Sequence, residues 1–246
     1  MNKDNIITIL VSVIASVVIS VALATNVTGK NAGAASAANV DQAVEAYLKK
    51  NPMIVREALE LAAQQEQIEA QKRIAEAYKA NIKELNNADN SPFVGPKDAK
   101  ITIVEFFDFN CGFCKRLAPA MKKVIKANPD VKFVFKPVTF LGSMPIAKAA
   151  MAAHEQGKFV EVYEALLTYE GRVDDEAIKK AITNAGLDYE KTKEIMESKK
   201  VTDNLNAIAE LSQKVEIRGV PTLIINGEPL QAIEEGPIQD AINNLK

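Results

Sequence analysis

Cysteine and histidine are scarce in this chain, which has two cysteines and one histidine among 246 residues. The cysteines stand three positions apart, whereas a disulfide-stapled small domain has more of them at wider spacing. A structural zinc site would need a further pair of Cys or His ligands. Enzyme mechanisms that require several histidines are excluded as well, because His154 stands alone.

The chain also lacks a large net charge of either sign, since its net charge is −2 at neutral pH. Nothing in this balance indicates nucleic acid as a partner. The sequence contains no P-loop, no dinucleotide-binding fingerprint and no Ser/His/Asp set. What is present is a composition of 48% hydrophobic and 25% charged residues. Such a composition is typical of a packed core, in a chain long enough for one large domain with extensions.

The first thirty residues contain an uncharged run of 19 residues, from 6 to 24. Residues 22–24 and 32–34 each resemble a small-residue cleavage site. The apolar core of a signal peptide usually has roughly 7–15 residues, whereas a membrane-spanning helix needs about 20. We therefore predict that residues 1–30 are a signal peptide or a membrane anchor, and both interpretations stay open. In either case the rest of the chain is exported, in a Gram-negative cell to the oxidising periplasm, where residues 6–24 could tether it to the inner membrane.

Residues 40–87 are rich in Ala, Glu, Gln, Lys and Leu, which favour helix. Pro52 interrupts the segment, so we predict a short helix over 41–50 and a long one over 53–86. An apolar stripe repeats every seven residues and needs a covering surface, either its own domain or another copy of the chain. We predict that 40–87 is a helical arm that forms a homo-oligomer. The stripe consists of Ile54, Leu61, Ile68, Ala75 and Ile82.

The two cysteines follow an apolar run from 101 to 109, which predicts a strand buried on both faces. Apolar residues then recur at helical spacing up to 128, so the Cys-x-x-Cys pair opens a helix. The free amides and dipole of a helix start stabilise a thiolate at Cys111. We predict Cys111 as the nucleophile and Cys114 as the thiol that resolves the mixed disulfide. Taken by itself, the pair is also compatible with a metal site or an inert structural disulfide.

An acidic residue, Glu105, lies in the predicted buried strand six positions before Cys111. A buried carboxyl is costly unless it is paired or used, and burial raises its pKa. We predict that Glu105 moves a proton to or from Cys114 during exchange. The alternative is a salt bridge with a nearby lysine such as Lys136.

A second motif lies far along the chain, where Val220-Pro221 precedes an apolar strand over 223–225 and the turn Asn226-Gly227. Together with the buried acid and the cysteine pair, this motif resembles the thioredoxin superfamily and its DsbA-like branch. The resemblance implies that the peptide bond before Pro221 is cis and faces the cysteines. It also implies that Val220 and Pro221 hold an extended substrate chain as an added strand.

The resemblance covers residues 97–246 and implies an α/β, thioredoxin-like fold with a helical subdomain inserted at about 143–217. Residues 131–138 match the parallel strand next to the first one. Within the insert we predict three or four amphipathic helices, with breaks near Gly157, Gly171 and Gly186. Two X-Pro pairs between residues 88 and 97 mark the boundary with the arm.

The dipeptide between the cysteines, Gly112-Phe113, bears on the subfamily. Strongly oxidising family members have Pro-His there, and without an imidazole at position 113 we expect a less oxidising site. Glycine plus an aromatic residue is similar to the disulfide isomerases. Those isomerases and the suppressor-of-copper-sensitivity C proteins have an N-terminal oligomerising region, which the arm at 40–87 resembles. Isomerases usually have Thr before the cis-proline. This chain has Val220 at that position, which resembles DsbA instead. Gly112 and Phe113 are expected to contact substrate.

The sequence therefore predicts an exported thiol–disulfide oxidoreductase acting on unfolded or misfolded exported proteins, as an oligomeric isomerase or reductase. A membrane redox partner would reset the cysteines, and no cofactor or metal is expected. One alternative is a monomeric DsbA-like oxidase. Another is a copper-handling or chaperone-like binding protein, with Cu(I) held by the cysteines and a methionine such as Met144. His154 is interpreted as a surface or packing residue.

Overall fold

The structure is a computed structural model that describes residues 37–246. The predicted signal peptide or anchor, residues 1–30 with the uncharged run 6–24, lies outside the described residues. Within residues 37–246, no helix is both long and apolar enough to cross a membrane. The chain divides into two compact units, of which the first ends at Gln67 and the second runs from Ile68 to Lys246.

The described part of the first unit consists of helix α1 (Ala37–Lys50) and the beginning of helix α2 (Pro52–Ala80). The predicted break between the two helices is confirmed at Asn51. Pro52 takes the first helical position, where its missing N–H leaves no hydrogen bond unmade. Asn51 Nδ2 donates to the carbonyl of Tyr47 at 2.9 Å, at the end of α1. Apart from the half-buried Asn51, every side chain from 40 to 67 is exposed.

The second unit begins within α2, and its first segment packs into the core through Tyr78 and Leu85. The sequence predicted one helix over 53–86, but α2 ends at Ala80 and a short helix, α3 (Ile82–Asn86), follows. The interruption has a local cause at Asn81, whose Nδ2 donates to the carbonyl of Ala77 at 2.7 Å. An asparagine side chain that bonds to the preceding turn competes with the backbone and disturbs the helix.

A five-stranded mixed sheet forms the centre of the second unit, in the order β1-β3-β2-β4-β5. Strand β2 runs parallel to β3 and antiparallel to β4, and every side chain of β2 and β3 is buried, as the apolar runs predicted. The sequence missed β1 and β5, which have only two and three residues. The strands are β1 (Phe93–Val94), β2 (Thr102–Phe107), β3 (Lys132–Pro137), β4 (Thr222–Ile225) and β5 (Glu228–Leu230).

Helices cover the sheet and fill the insert. Helix α4 (Gly112–Ala127) follows β2, and helix α10 (Glu235–Asn243) follows β5. The insert has five helices where three or four were predicted, and its breaks at Gly157, Gly171 and Gly186 have positive φ, a conformation that glycine adopts without strain. The predicted α/β fold with a helical insert is confirmed. The five helices are α5 (Met144–His154), α6 (Phe159–Leu167), α7 (Asp175–Asn184), α8 (Tyr189–Met196) and α9 (Lys199–Lys214).

Candidate active site

The two cysteines occupy different environments at the start of α4. Cys111 caps the helix in an extended conformation, with φ −80° and ψ 119°. Its amide donates to the carbonyl of Asp108 at 3.0 Å, which closes the turn after β2. Cys114 lies one helical turn further on and is completely covered. Both are free thiols in the structure.

Both thiols are buried, Cys111 with 6% exposure and Cys114 with none, and burial acts strongly on Cys114. It raises the pKa of the Cys114 thiol far above its usual range, and the neighbouring Cys111 and Glu105 act in the same direction. A backbone hydrogen bond from Asp108 opposes this rise. Cys111 instead lies at the helix N-terminus, beside backbone amides that have no partner within the helix. The predicted order, with Cys111 attacking and Cys114 resolving, fits this asymmetry.

Asp108 fixes the turn that presents Cys111. The sequence analysis did not identify Asp108. Its carboxylate is fully buried. One oxygen accepts from the amide of Asn110 at 2.8 Å, and the other accepts from the amide of Leu141 at 2.9 Å. Asn110 Nδ2 in turn donates to the carbonyl of Leu141 at 3.0 Å. The turn before α4 is therefore bonded to the loop that follows β3.

The second predicted motif lies directly against Cys111. The Val220-Pro221 peptide bond is cis, as the resemblance implied. The Cys111 thiol donates to the carbonyl of Val220 at 3.3 Å, across 109 positions of sequence. The pairing of β4 with β2 brings the two together, because Thr222 lies opposite Phe106 in the sheet.

The dipeptide between the cysteines faces outward. The Phe113 side chain is 54% exposed, and the Arg116 guanidinium lies 4.3 Å from its ring centroid. A Cβ added at Gly112 would meet nothing within 4 Å. A groove of about 400 Å³ is lined by Pro221 and, among others, by Ile74, Tyr78 and Leu230. Pro221 follows the residue whose carbonyl contacts the Cys111 thiol, so this groove begins next to that contact.

Glu105 is buried within β2, as predicted, and 1% of it is exposed. Burial raises the pKa of its carboxyl to about 7, although a hydrogen bond from Tyr163 acts in the opposite direction. The Tyr163 hydroxyl donates to Glu105 Oε2 at 2.9 Å. Glu105 Oε1 is buried and has no hydrogen-bond partner among the described residues. At neutral pH, therefore, both protonation states of this carboxyl are accessible.

The alternative of a salt bridge between Glu105 and Lys136 is wrong. In the parallel pairing of β2 with β3, Glu105 lies opposite Phe135 and Phe106 lies opposite Lys136. Since paired residues point to the same face and successive residues to opposite faces, Lys136 projects away from Glu105. Its ammonium donates instead to Ser91 Oγ at 3.0 Å. Tyr163 is the actual partner of Glu105, and no local pattern in the sequence indicates it.

His154 is partly buried, with its ring 6.4 Å from that of Phe159. Burial lowers the pKa of its imidazole. Within residues 37–246 there is no group of three or more His, Cys, Asp or Glu side chains that could hold a metal ion. The geometry around His154 is that of a packing residue.

Comparisons with known proteins point in the same direction. A family model described as Thioredoxin matches residues 86–244. A thioredoxin-like oxidoreductase from Silicibacter pomeroyi is 30% identical, with a TM-score of 0.60, and the match covers 66% of this chain and 95% of that one. The catalytic domain of Proteus mirabilis ScsC is 27% identical, with a TM-score of 0.62, over 70% of this chain and 97% of that one. The predicted resemblance to such oxidoreductases is confirmed.

Curated relatives match only in part. The Na(+)/H(+) antiporter NhaA 3 of Salinispora tropica is 26% identical over 54% of this chain, and the match spans 21% of that antiporter. The chain thus spans about a fifth of the length of this relative. Disulfide bond formation protein D of Bacillus subtilis is 26% identical over 57% of this chain and 69% of its own length. The shared region in both cases is about half of the present chain.

Proposed function

Since this chain belongs to the thioredoxin family, we propose that it is a thiol–disulfide oxidoreductase acting on protein substrates. The observation that carries the proposal is the difference between the two thiols. Cys111 stands at a helix start, keeps 6% exposure and contacts the Val220 carbonyl, whereas Cys114 is fully buried one helical turn further on. Such a pair provides one sulfur for a partner and a second one that only the first can reach.

The reaction follows from this arrangement. The Cys111 thiolate attacks a disulfide of the substrate, forms a mixed disulfide and releases one substrate thiolate. Cys114 then loses its proton and attacks the Cys111 sulfur. The second substrate thiolate leaves, and the substrate is reduced while the Cys111–Cys114 disulfide forms. The reverse sequence oxidises a dithiol. In an isomerisation a different thiolate of the substrate attacks the substrate sulfur of the mixed disulfide, so that a new substrate disulfide forms and Cys111 leaves as a thiolate.

Glu105 is the proton acceptor that we assign to Cys114. The charge of the carboxylate influences the Cys114 thiol, so the two groups are electrostatic neighbours. With a pKa of about 7, the carboxyl can accept a proton in one half of the cycle and return it in the other.

Val220, Pro221, Gly112 and Phe113 are the residues that we assign to substrate binding. The first two adjoin the Cys111 thiol, and an extended substrate chain can pair with backbone there as an added strand. Phe113, two positions after Cys111, offers exposed apolar surface. Unfolded or misfolded exported proteins expose apolar side chains and free backbone, and they fit such a surface.

At a finer level, we propose an exported, oligomeric isomerase or reductase with residues 40–87 as the oligomerising arm. In the predicted stripe, Ile54, Leu61 and Ile68 are exposed by 43%, 51% and 47%. Ala75 and Ile82 are partly covered within the second unit. The exposed part of the stripe needs another surface, and a second copy of the same helix supplies one. A membrane redox partner would restore the reduced pair in the periplasm.

The experiment compares the full chain with residues 68–246 in light scattering and in refolding of scrambled ribonuclease. We expect an oligomer with isomerase activity for the full chain and a monomer with little isomerase activity for the shorter one. Cys111→Ser in the full chain should abolish the activity and leave the oligomer intact. If both lengths are monomers that only oxidise reduced ribonuclease, the protein is a monomeric oxidase, the alternative that Val220 favours.

A further inference from the structure

Tyr163 is the one side chain from the helical insert that hydrogen-bonds to Glu105 in the described part of the chain. We propose that Tyr163 is a positioning residue for proton transfer, whose hydroxyl occupies one oxygen of Glu105 and leaves the other as the acceptor for the Cys114 proton. This inference rests on the proposed thiol–disulfide exchange and on the role of Glu105 in it.

The two oxygens of Glu105 are not equivalent. Oε2 accepts from the Tyr163 hydroxyl at 2.9 Å. Oε1 is buried and has no partner among the described residues. A carboxylate without hydrogen bonds in a buried site would be strongly disfavoured. The single bond from Tyr163 therefore stabilises the ionised form and keeps Oε1 free for a proton.

Tyr163 is held rigidly enough to do this. The side chain is 2% exposed. Its ring packs edge-on against Phe107 at 5.1 Å between centroids, stacks on Phe159 at 5.5 Å and lies 4.9 Å from Phe135. These contacts fix the ring and direct its hydroxyl toward Glu105. Burial also raises the pKa of the Tyr163 phenol well above its usual range, so the hydroxyl remains a neutral donor throughout the cycle.

Tyr163 assists the step in which Cys114 resolves the mixed disulfide. The proton of the Cys114 thiol passes to Glu105, and the Cys114 thiolate donates an electron pair to the Cys111 sulfur. The Cys111–Cys114 bond forms as the bond from Cys111 to the substrate sulfur breaks, and the substrate leaves as a thiolate. Without the Tyr163 hydroxyl, less of Glu105 is ionised at neutral pH, and the resolving step alone should slow down.

The test uses Tyr163→Phe in the full chain, which removes one oxygen and keeps the ring. The probe is dithiobis(nitrobenzoate), a small disulfide that needs neither client binding nor an oligomer. Attack by Cys111 releases a first coloured thiolate, and resolution by Cys114 releases a second. We expect an unchanged first phase. The rate of the second phase should fall toward acid pH as Glu105 becomes protonated, and the midpoint of this fall (the acid limb) should shift to higher pH by roughly one unit in the variant. Below that midpoint the second phase should be about tenfold slower than in the parent.

Three further variants test whether the effect depends on the Tyr163 hydroxyl. Glu105→Gln should abolish the pH limb of the second phase. Tyr189→Phe, in the same insert but packed against Lys179, is the matched control and should behave as the parent. Phe159→Leu keeps the hydroxyl and loosens the contacts of its ring, and it should shift the limb less than Tyr163→Phe does. Carbon NMR of the reduced protein should show a higher carboxyl pKa for Glu105 in Tyr163→Phe.

The outcomes separate this inference from the proposed function. A second phase in Tyr163→Phe that superimposes on the parent, while Glu105→Gln changes it, overturns the role of Tyr163 and leaves Glu105 in place. If both variants behave as the parent, the proton transfer to Glu105 fails and the inference fails with it. Equal slowing of both phases in Tyr163→Phe would mean a general structural role and would also overturn the inference.

Discussion

The apolar side chains are exposed in the described part of the first compact unit and buried in the core of the second. In the described part of the first unit, the large apolar side chains from 40 to 67 are exposed, and Leu59 is 66% exposed. In the second unit, residues of the same type such as Ile103 and Leu117 are completely covered. Full burial of one such side chain stabilises a fold by roughly 1.5–3 kcal/mol. The second unit therefore contains its own source of stability, whereas residues 40–67 of the first unit bury no large apolar side chain in the described structure.

The difference also separates two kinds of function. The chemistry needs a fixed, dry environment around Cys114 and Glu105, and the core of the second unit supplies it. The apolar face of residues 40–67 is exposed and encloses no dry site of its own. It can act only through a surface that covers it, which is why we assign it to self-association. Changes in one unit should consequently leave the property of the other intact.

The largest effect is expected from charges placed on the first unit. Ile54→Glu combined with Leu61→Glu puts two carboxylates where the apolar stripe would meet its copy. We expect the oligomer to dissociate, because each charged group buried without a partner costs several kcal/mol. Light scattering and scrambled-ribonuclease refolding measure the loss, while the reaction with dithiobis(nitrobenzoate) should stay unchanged.

The matched control for these charges is Gln64→Glu combined with Gln67→Glu, which adds the same charge at exposed polar positions of the same helix. This variant should keep the oligomer. Dissociation of both variants would mean that net charge, and not the apolar stripe, controls assembly. A slower reaction with the small disulfide in either variant would show that the two units are not functionally separate.

A smaller effect, confined to the second unit, is expected from the pH dependence of stability. The folded-state pKa of Glu105 is raised from 4.5 to about 7, so the folded protein holds this proton more tightly than the unfolded chain does. The stabilisation is fully present below pH 4.5 and is lost as the pH rises through about 7. It amounts to roughly 3 kcal/mol, at about 1.4 kcal/mol for each pKa unit.

Urea unfolding of the reduced protein on both sides of this pH window measures the effect. Glu105→Gln has no proton to lose, so it should flatten the dependence and be more stable than the parent in alkaline solution. Ile54→Glu combined with Leu61→Glu should keep the slope of the parent. An equal slope in the parent and in Glu105→Gln would show that burial does not raise the pKa of this carboxyl.

The sequence predicted best where a structure depends on neighbouring residues. The apolar run that became β2 and the helical spacing behind Cys111 are local patterns, and both elements were predicted. Asn81 shows the limit of such patterns, because one side chain bond ends a helix that periodicity would continue. Strands as short as β1 carry too few residues for any period to be visible.

The partners of the buried polar groups could not be predicted from sequence. Glu105 was identified as a buried acid, but its partner depends on which face of β3 it meets and on how the insert folds back. Lys136 is near in the sheet and points the wrong way, whereas Tyr163 is 58 positions distant and bonds directly. Pro221 was placed correctly only because a family resemblance connects it to the cysteines.

The smallest effect is expected from Asp108→Asn, which tests whether the loop after β3 belongs to the active site. The buried carboxylate accepts two amide hydrogen bonds, from Asn110 and Leu141. An amide side chain can accept only one of them well and turns its NH₂ group toward the other donor. We expect a loss of roughly 1–2 kcal/mol in the free energy of unfolding, together with a slower first phase with dithiobis(nitrobenzoate), because the turn that presents Cys111 loosens. The exposed Asp98→Asn is the control. Lower stability with an unchanged first phase would mean that Asp108 holds the loop but not the nucleophile.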